Sequence, residues 1–328
     1  MTSQRAVEIA GFLAQQGWDN AAPTPLDSDF SSRRYARLEH DDGRRAILMD
    51  AEGDPKTESF IDISGLLRGM DISAPEIYAA DTMHGLVLME DFGSRKFGNL
   101  LDGGGEAAPL YRRAVDLLVH MHRNFDREKA RALDLPVFGG ALFAAQVEMF
   151  LDAYFPYAQN REATAEEAES FRAAWKQALK GIESTPQSLL LRDFMSDNLM
   201  DLPKREAWRS VGVLDFQDAG LGPIAYDLAS LCEEVRRDGG GAMLDEMIAY
   251  YHQQAQPALS LGELKSSCHV LSAQRHMRIL GIIVQVAQKT GQREKLAYLP
   301  RVKGFLQHLL RDDALKAVRV SIEQSKSL

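Results

Sequence analysis

Cysteine is nearly absent from this 328-residue chain, which has only Cys232 and Cys268. Two thiols in a chain of this length give no disulfide framework, and no Cys-x-x-Cys pair is present to hold structural zinc. Long apolar runs are missing as well. No stretch approaches the roughly 20 apolar residues that a spanning helix needs, so no membrane partner is expected. The opening segment, Met1 to Trp18, has the pattern of an amphipathic helix. It lacks the continuous apolar segment and small-residue cleavage site of a secretion signal, and a cytoplasmic protein is the expectation. Clustered cations are lacking too: 38 Lys and Arg against 47 Asp and Glu leave a formal charge of −9. Nonspecific nucleic-acid binding rests on such clusters, so no nucleic-acid partner is expected. An acidic chain can still hold a nucleotide where its few basic groups face the phosphates. There is no internal repeat, and the glycine runs at Gly103–Gly105 and Gly239–Gly241 read as loops.

What is present is enough apolar residue, 45% of the chain, for one large or two modest cores. The organising stretch is Leu189 to Leu202, LLLRDFMSDNLMDL. An apolar strand delivers Asp193, Asn198 follows five positions later, and Leu199 to Leu202 reads as a strand leaving the loop. Val211 to Asp215 is another apolar strand ending on a carboxylate. An Asp, an Asn five residues on and an Asp after the next strand form the acid and metal set used in phosphoryl transfer. In that chemistry Asp193 accepts the hydroxyl proton. Asn198 offers a neutral oxygen and Asp215 a charged one to Mg²⁺, a hard cation that takes oxygen ligands.

The rest of the chain supplies a context for that set. A helix is expected from Thr2 or Ser3 to about Gln16, then a break at Pro23 and Pro25. Arg34–Glu39 and Arg45–Asp50 read as strands joined by hairpin residues 40–43. Residues 55–70 follow as a helix with Phe60, Ile63, Leu66 and Leu67 on one face. Two more strands, 75–79 and 85–90, lead to a turn at Asp91–Gly93. Beyond it the pattern turns to long helices near 109–124, 143–154, 163–180, 243–254, 266–289 and 300–316. The expected architecture is α+β and bilobal, like a protein kinase. It has a nucleotide-binding lobe with connector over 1–93, a mostly helical lobe over 94–328, and the nucleotide in the cleft between them.

Asp91-Phe92-Gly93 spells a metal-binding triplet of protein kinases but precedes Asp193 by about a hundred residues, whereas the metal carboxylate must follow the catalytic loop. Asp215 stands in that place, and Asp91 belongs to the connector, where backbone of Glu90, Asp91 and Phe92 could pair with an adenine edge. After Asp215, glycines and Pro223 read as a tight loop before Asp227 opens an apolar helix. Asp227 is either a helix N-terminal carboxylate favoured by the dipole or a brace accepting backbone N–H bonds from the catalytic loop. Asp218 is either a substrate-side residue or part of a solvated turn. In the helical region Glu148 and Asp152 share a face, with Tyr154 after them, and Arg275 and Arg278 share another. A cation there could meet a substrate carboxylate, while solvated or structurally paired charge is the competing reading for each. His120, His122, His269 and His276 show no metal-ligand spacing.

Taken together, DFSSRRY at 29–35, LMEDFG at 88–93, LRDFMSDNLM at 191–200 and VLDFQDA at 213–219, with Gly222-Pro223 and Asp227, resemble the aminoglycoside phosphotransferase/choline kinase superfamily. Within it the similarity is to bacterial kinases of cell-wall amino sugars, which phosphorylate the anomeric hydroxyl of N-acetylmuramate and N-acetylglucosamine. The resemblance implies ATP and Mg²⁺, with Asp193 as catalytic base and Asn198 and Asp215 as metal ligands. Ser31, Ser32 and Arg33 would lie in the loop covering the phosphates. Three positions depart from the family pattern. Leu191 replaces a usual His before Arg-Asp, Met49 stands where many members carry a phosphate-clamping lysine, and Asp197 replaces a residue often basic in the sugar branch. Arg33 or Arg34 would have to supply the missing cation, and Glu58 loses its obvious partner. The expected partner is a small-molecule hydroxyl acceptor, with another acceptor such as an aminoglycoside, choline or a homoserine-like alcohol as an alternative. A silent nucleotide-binding module is the competing reading from another class. No Ala-Pro-Glu segment follows Asp215 to build the peptide platform of a protein kinase.

Overall fold

Two adjacent strand-forming runs, Arg34–Glu39 and Arg45–Asp50, seed the amino-terminal sheet of the computed structural model, which describes residues 3–26, 33–237 and 240–328. The sheet comprises β1 (Thr24–Leu26), β2 (Arg34–Glu39), β3 (Arg45–Asp50), β4 (Ile77–Asp81) and β5 (Leu86–Glu90), antiparallel in the order β1-β2-β3-β5-β4. The expected chain break at Pro25 is instead the short strand β1, and an edge strand is where a missing ladder N–H is tolerated. Side chains alternate across the sheet. One face carries Leu38, Ala46, Leu48, Leu86 and Leu88, which form a core with Ile9, Phe12 and Leu13 of α1 (Ser3–Gln15) and with Trp18. At the margin of that face Asp50 is buried and accepts bonds from Arg5 and Arg34 at 2.5 and 2.7 Å. Ile47, Met49 and Val87 alternate onto the opposite face and are buried too. The connecting helix α2 (Thr57–Gly69) buries Phe60, Ile63 and Leu67 on one stripe, as its spacing predicts.

By packing, Met1–Gly105, Glu128–Asp134 and Asp197–Ala219 form one compact unit, and Glu106–Arg127, Leu135–Ser196 and Gly220–Leu328 form a second. The first unit thus gathers three separate stretches of the chain. The reason lies in the hairpin of β7 (Leu199–Asp201) and β8 (Val211–Val213), which bonds to residues of the first unit. Arg95 pairs with Asp201 at 2.6 Å, Lys96 bridges to Met200, and Ser73 bridges to Gly212. Gly212 is required there because a Cβ would lie 2.8 Å from the Phe92 ring. Short helices α3 (Phe97–Asp102) and α5 (Arg127–Ala130) complete the inventory around these segments.

The second unit is built on helices α4 (Ala107–Asn124), α6 (Gly140–Met149), α7 (Phe155–Gln159), α8 (Ala165–Lys180), α9 (Ala225–Cys232), α10 (Gly240–Ala255), α11 (Leu261–Thr290), α12 (Leu299–Leu309) and α13 (Lys316–Ser325). Capping boxes, Thr164 with Glu167 and Ser260 with Glu263, start α8 and α11. The expected helix over 143–154 does not run evenly: α6 passes into a π turn over Phe150–Tyr154 before α7. The expected helix over 300–316 breaks near Asp312, whose side chain accepts from Ala314 N at 2.9 Å and binds Ser266 and His269. Residues 220–223, expected as a loop, form β9 (Gly220–Pro223), antiparallel to β6 (Gln187–Leu190).

Helix α11 lies close to α6 because position 281 has no side chain. A Cβ on Gly281 would sit 2.1 Å from the Met149 carbonyl oxygen, so the two backbones must part to accept one. Gly281→Ala should therefore lower stability by about 1–3 kcal/mol, despite the higher helix propensity of alanine. Urea denaturation measures this, and an unchanged or raised midpoint would contradict the contact.

Candidate active site

In the second unit, the apolar strand β6 carries the chain to Arg192, a non-glycine residue in the left-handed region at φ 70°. Such a conformation costs of order 1–3 kcal/mol and persists only where the surroundings fix it. They do so here through α9. The buried Asp227 carboxylate accepts the backbone N–H groups of Leu191 at 2.7 Å and Arg192 at 3.0 Å. One turn on, Ser230 Oγ donates to the Arg192 carbonyl at 3.1 Å. The Arg192 guanidinium lies over the Phe138 ring, 5.0 Å from its centroid. Leu191 is buried among apolar residues, so the position that could have held an imidazole serves as core. Asp193 follows, half-buried, its N–H bonded to the Leu191 carbonyl at 2.9 Å. Burial pushes the Asp227 carboxyl from its ordinary 3.8 up to about 7, against the pull of the two backbone N–H donors and of Arg275.

In the first unit, the β7–β8 hairpin sets Asn198 and Asp215 at the same end. Leu199 pairs with Val213, Leu214 N donates to the Asn198 carbonyl at 2.9 Å, and Asn198 Nδ2 lies 3.5 Å from Asp215 Oδ2. Exchanging the amide O and N of Asn198, which look alike by shape, turns its oxygen toward the same point as the carboxylate. Asp215 is exposed and is itself left-handed, at φ 58°. Gln217 Nε2 donates to its other oxygen at 2.8 Å. The two oxygens are the donor type a hard divalent cation takes. The residues just after Asp215 are bound to the first turns of α2. Phe216 stacks on Phe60 with centroids 4.9 Å apart, Ser59 Oγ donates to the Gln217 carbonyl at 2.8 Å, and Lys56 pairs with Asp218 at 2.8 Å.

The remaining residues singled out by the sequence divide by what they touch. Ser31 and Ser32 lie outside the described residues. Arg33 is buried and bonded to Asp54 at 2.7 Å, and Arg34 is bonded to Asp50, so both guanidinium groups expected to replace the third-strand lysine are engaged by carboxylates. Met49 is fully buried in β3. At the connector, Asp91 is held by Arg37 at 2.7 and 3.0 Å and accepts Gly93 N at 2.8 Å, and Glu90 pairs with Arg205. Phe92 lies under the Arg205 guanidinium, 5.2 Å from it. Glu148 forms a two-pronged pair with Arg172 at 2.7 and 2.9 Å, while Asp152, carried by the π turn, is exposed. Arg275 is buried and donates to the Glu233 carbonyl at 3.4 Å. Arg278 is half-buried, and its Nε has no hydrogen-bond partner among the described residues. The histidines pack or pair: His122 with Tyr251, His269 with Asp312, His276 with Glu233 and His120 with Asn124.

Residues 23–261 match the family model of the phosphotransferase enzyme family. This chain belongs to that family. As a phosphotransferase it acts on a hydroxyl acceptor. It is 26% identical to an N-acetylmuramate/N-acetylglucosamine kinase of Caulobacter vibrioides, over 97% of this chain and 96% of the relative. It is 28% identical to an enzyme of that name from Pseudomonas putida, over 88% and 83%. Among solved structures it superposes on an aminoglycoside 2'-phosphotransferase-IIIa solved with GDP, with a TM-score of 0.64 at 13% identity over 92% and 98% of the two chains. A choline/ethanolamine kinase family protein of Mesorhizobium loti gives 0.62 at 13% identity, over 98% and 100%. The fold of the phosphotransferase is thus the protein-kinase-like, bilobal α+β fold. No described helix is long and apolar enough to cross a membrane.

Three residues near these segments escaped the sequence reading: Lys56, Arg205 and Glu234. Each meets a partner far along the chain, Asp218, Glu90 and Ser196 respectively, and none sits at a spacing that signals it.

Asp227→Asn tests the hold on the Asp193 loop. An amide cannot accept both N–H groups as a carboxylate does, and a buried unsatisfied donor costs about 1–3 kcal/mol. Because the folded carboxyl titrates above its unfolded value, its contribution is complete below about pH 4 and is lost as pH rises through about 7. The variant lacks that titration, so its Tm should depend less on pH between 5 and 8 than the wild-type Tm does. An identical slope in both proteins would refute the titration of Asp227.

Proposed function

We propose that this phosphotransferase transfers the γ-phosphoryl group of ATP to the anomeric hydroxyl of N-acetylmuramate or N-acetylglucosamine, the amino sugars of the bacterial cell wall. The reaction class rests chiefly on one observation, the 3.5 Å approach of Asn198 to Asp215 at the hairpin end, with Asp193 five positions before Asn198 on a braced loop. The choice of sugar is supported by the names of the relatives, which span nearly the whole chain.

In this reading the Asp193 carboxylate accepts the proton of the sugar hydroxyl as its oxygen forms a bond to the γ-phosphorus. The bond to the bridging oxygen breaks and ADP leaves. The left-handed turn at Arg192, held by Asp227 and Ser230, sets the direction of that carboxylate. Asn198 and Asp215 would hold Mg²⁺ through an amide and a carboxylate oxygen. That ion, when bound, neutralises charge on the phosphates. Backbone of Glu90 to Phe92 would meet the adenine edge. Arg37 and Arg205 keep the Asp91 and Glu90 side chains occupied, so the segment presents a fixed main chain. Arg33 is held by Asp54, so any part it plays at the phosphates would be indirect.

Two measurements test the proposal. An ADP-release assay over amino sugars, aminoglycosides, choline and homoserine should show N-acetylglucosamine and N-acetylmuramate turned over fastest. Activity confined to choline or to aminoglycosides would overturn the choice of sugar. Asp193→Asn should lower kcat by about 10²–10⁴-fold with nucleotide binding retained, and undiminished turnover would remove Asp193 from the role of base.

A further inference from the structure

The Asp193 loop is braced at its start by Asp227, but its far end has a separate anchor. Ser196, fully buried, lies three residues after Asp193 and two before Asn198. Its backbone N–H donates to one oxygen of Glu234 and its Oγ donates to the other at 2.6 Å. Arg237 Nη1 completes a triangle, donating to Ser196 Oγ at 3.0 Å and to Glu234 Oε2 at 3.2 Å. Glu234 is 4% exposed, so its charge is spent on these partners and not on solvent. Glu234 lies just past the end of α9, seven positions after Asp227, so one stretch of chain carries the contacts to both ends of the loop.

We infer that Glu234, acting through Ser196 and Arg237, is a positioning residue for Asp193. This rests on Asp193 being the base. A carboxylate that captures an N–H and a hydroxyl of one residue fixes both its peptide plane and its rotamer, and charge-assisted bonds in a dry setting are the strong ones. Between the two anchors run two tight turns, Asp193 N to Leu191 O at 2.9 Å and Met195 N to Asp193 O at 3.0 Å, and the Phe194 ring is buried. With Ser196 released, Met195 and Phe194 can shift and the Asp193 carboxylate shifts with them. A displacement of about 1 Å at a reacting group can cost on the order of 10²-fold in rate.

The experiment compares Glu234→Gln, Glu234→Ala, Ser196→Ala and the Ser196→Ala/Glu234→Gln pair with wild type and Asp193→Asn. It uses Mg·ATP with N-acetylglucosamine or N-acetylmuramate and follows kcat, both KM values, Mg·ADP binding and the melting curve. The expected result is graded. Glu234→Ala should lose roughly 30–100-fold in kcat, Glu234→Gln, which still accepts the Ser196 N–H, about tenfold, and Ser196→Ala less. KM and Mg·ADP binding should stay within about twofold of wild type. The double variant should fall short of the product of the single losses, as coupled groups do. A kcat for Glu234→Ala within about twofold of wild type overturns the inference, as does a loss that appears in KM and in Mg·ADP binding in the same proportion. If Glu234→Ala does not fold, Ser196→Ala decides by the same split, and an unchanged kcat there overturns it. Turnover surviving in Asp193→Asn would instead remove the base assignment, whereas a dead Asp193→Asn beside a fully active Glu234→Ala removes only the role of Glu234.

Discussion

The pair of hydrogen bonds from the Leu191 and Arg192 backbone to the buried Asp227 carboxylate governs much of the second unit. It makes the left-handed turn at Arg192 tolerable, and it docks α9 beneath the loop. From α9 the constraint passes on to α11: Cys268 Sγ lies 3.6 Å from the Ala225 carbonyl, and Arg275 donates to the Glu233 carbonyl at 3.4 Å. Two glycines, at 220 and 222, let the β9 strand come close to Phe138 and Pro136 while it pairs with β6. Asp227 and Glu234 take backbone N–H donors from the Asp193 loop, while Glu233 is met by the Ser272 and His276 side chains of α11.

The first unit uses charge differently. Asp50 lies between Arg5 of α1 and Arg34 of β2, with distances of 2.5 and 2.7 Å. Burial opposes its ionisation, yet the hydrogen bonds from the two guanidinium groups hold its carboxyl below the usual range. Arg33 is likewise paired with Asp54 and lies 5.9 Å from the Phe60 ring centroid. Cations placed early in the chain thus tie strands and helices together. Removing one partner of such a pair would leave a buried charge alone, which is far costlier than the net worth of the pair.

Much of the frame was legible because it is written in local periods. Strands β2, β3 and β5 and helices α2, α4, α8 and α11 follow short apolar runs, stripes and caps that need no knowledge of the rest of the chain. The Asp193/Asn198/Asp215 spacing was legible for the same reason, being set within one loop and one hairpin. The misread parts all depend on distant partners. Gly220–Pro223 looks like a turn until β6 lies beside it, and the break near Asp312 follows from Ser266 and His269. Nothing in the segment of Arg33 and Arg34 reveals their partners Asp54 and Asp50, sixteen or more residues away. Glu148 is drawn to Arg172, twenty-four residues along the chain, a partner that its own helix does not reveal.

The seam between α2 and the residues after Asp215 has a mechanical meaning. Phe60 on Phe216, Ser59 on Gln217 and Lys56 on Asp218 are three different kinds of contact, a ring stack, a neutral hydrogen bond and an ion pair, made by neighbouring residues of each segment. Slippage along such a seam would break all three at once, so helix and segment travel together. Whatever displaces the first turns of α2 is felt at Asp215, which makes this helix a lever on the carboxylate and not a passive cover for the sheet.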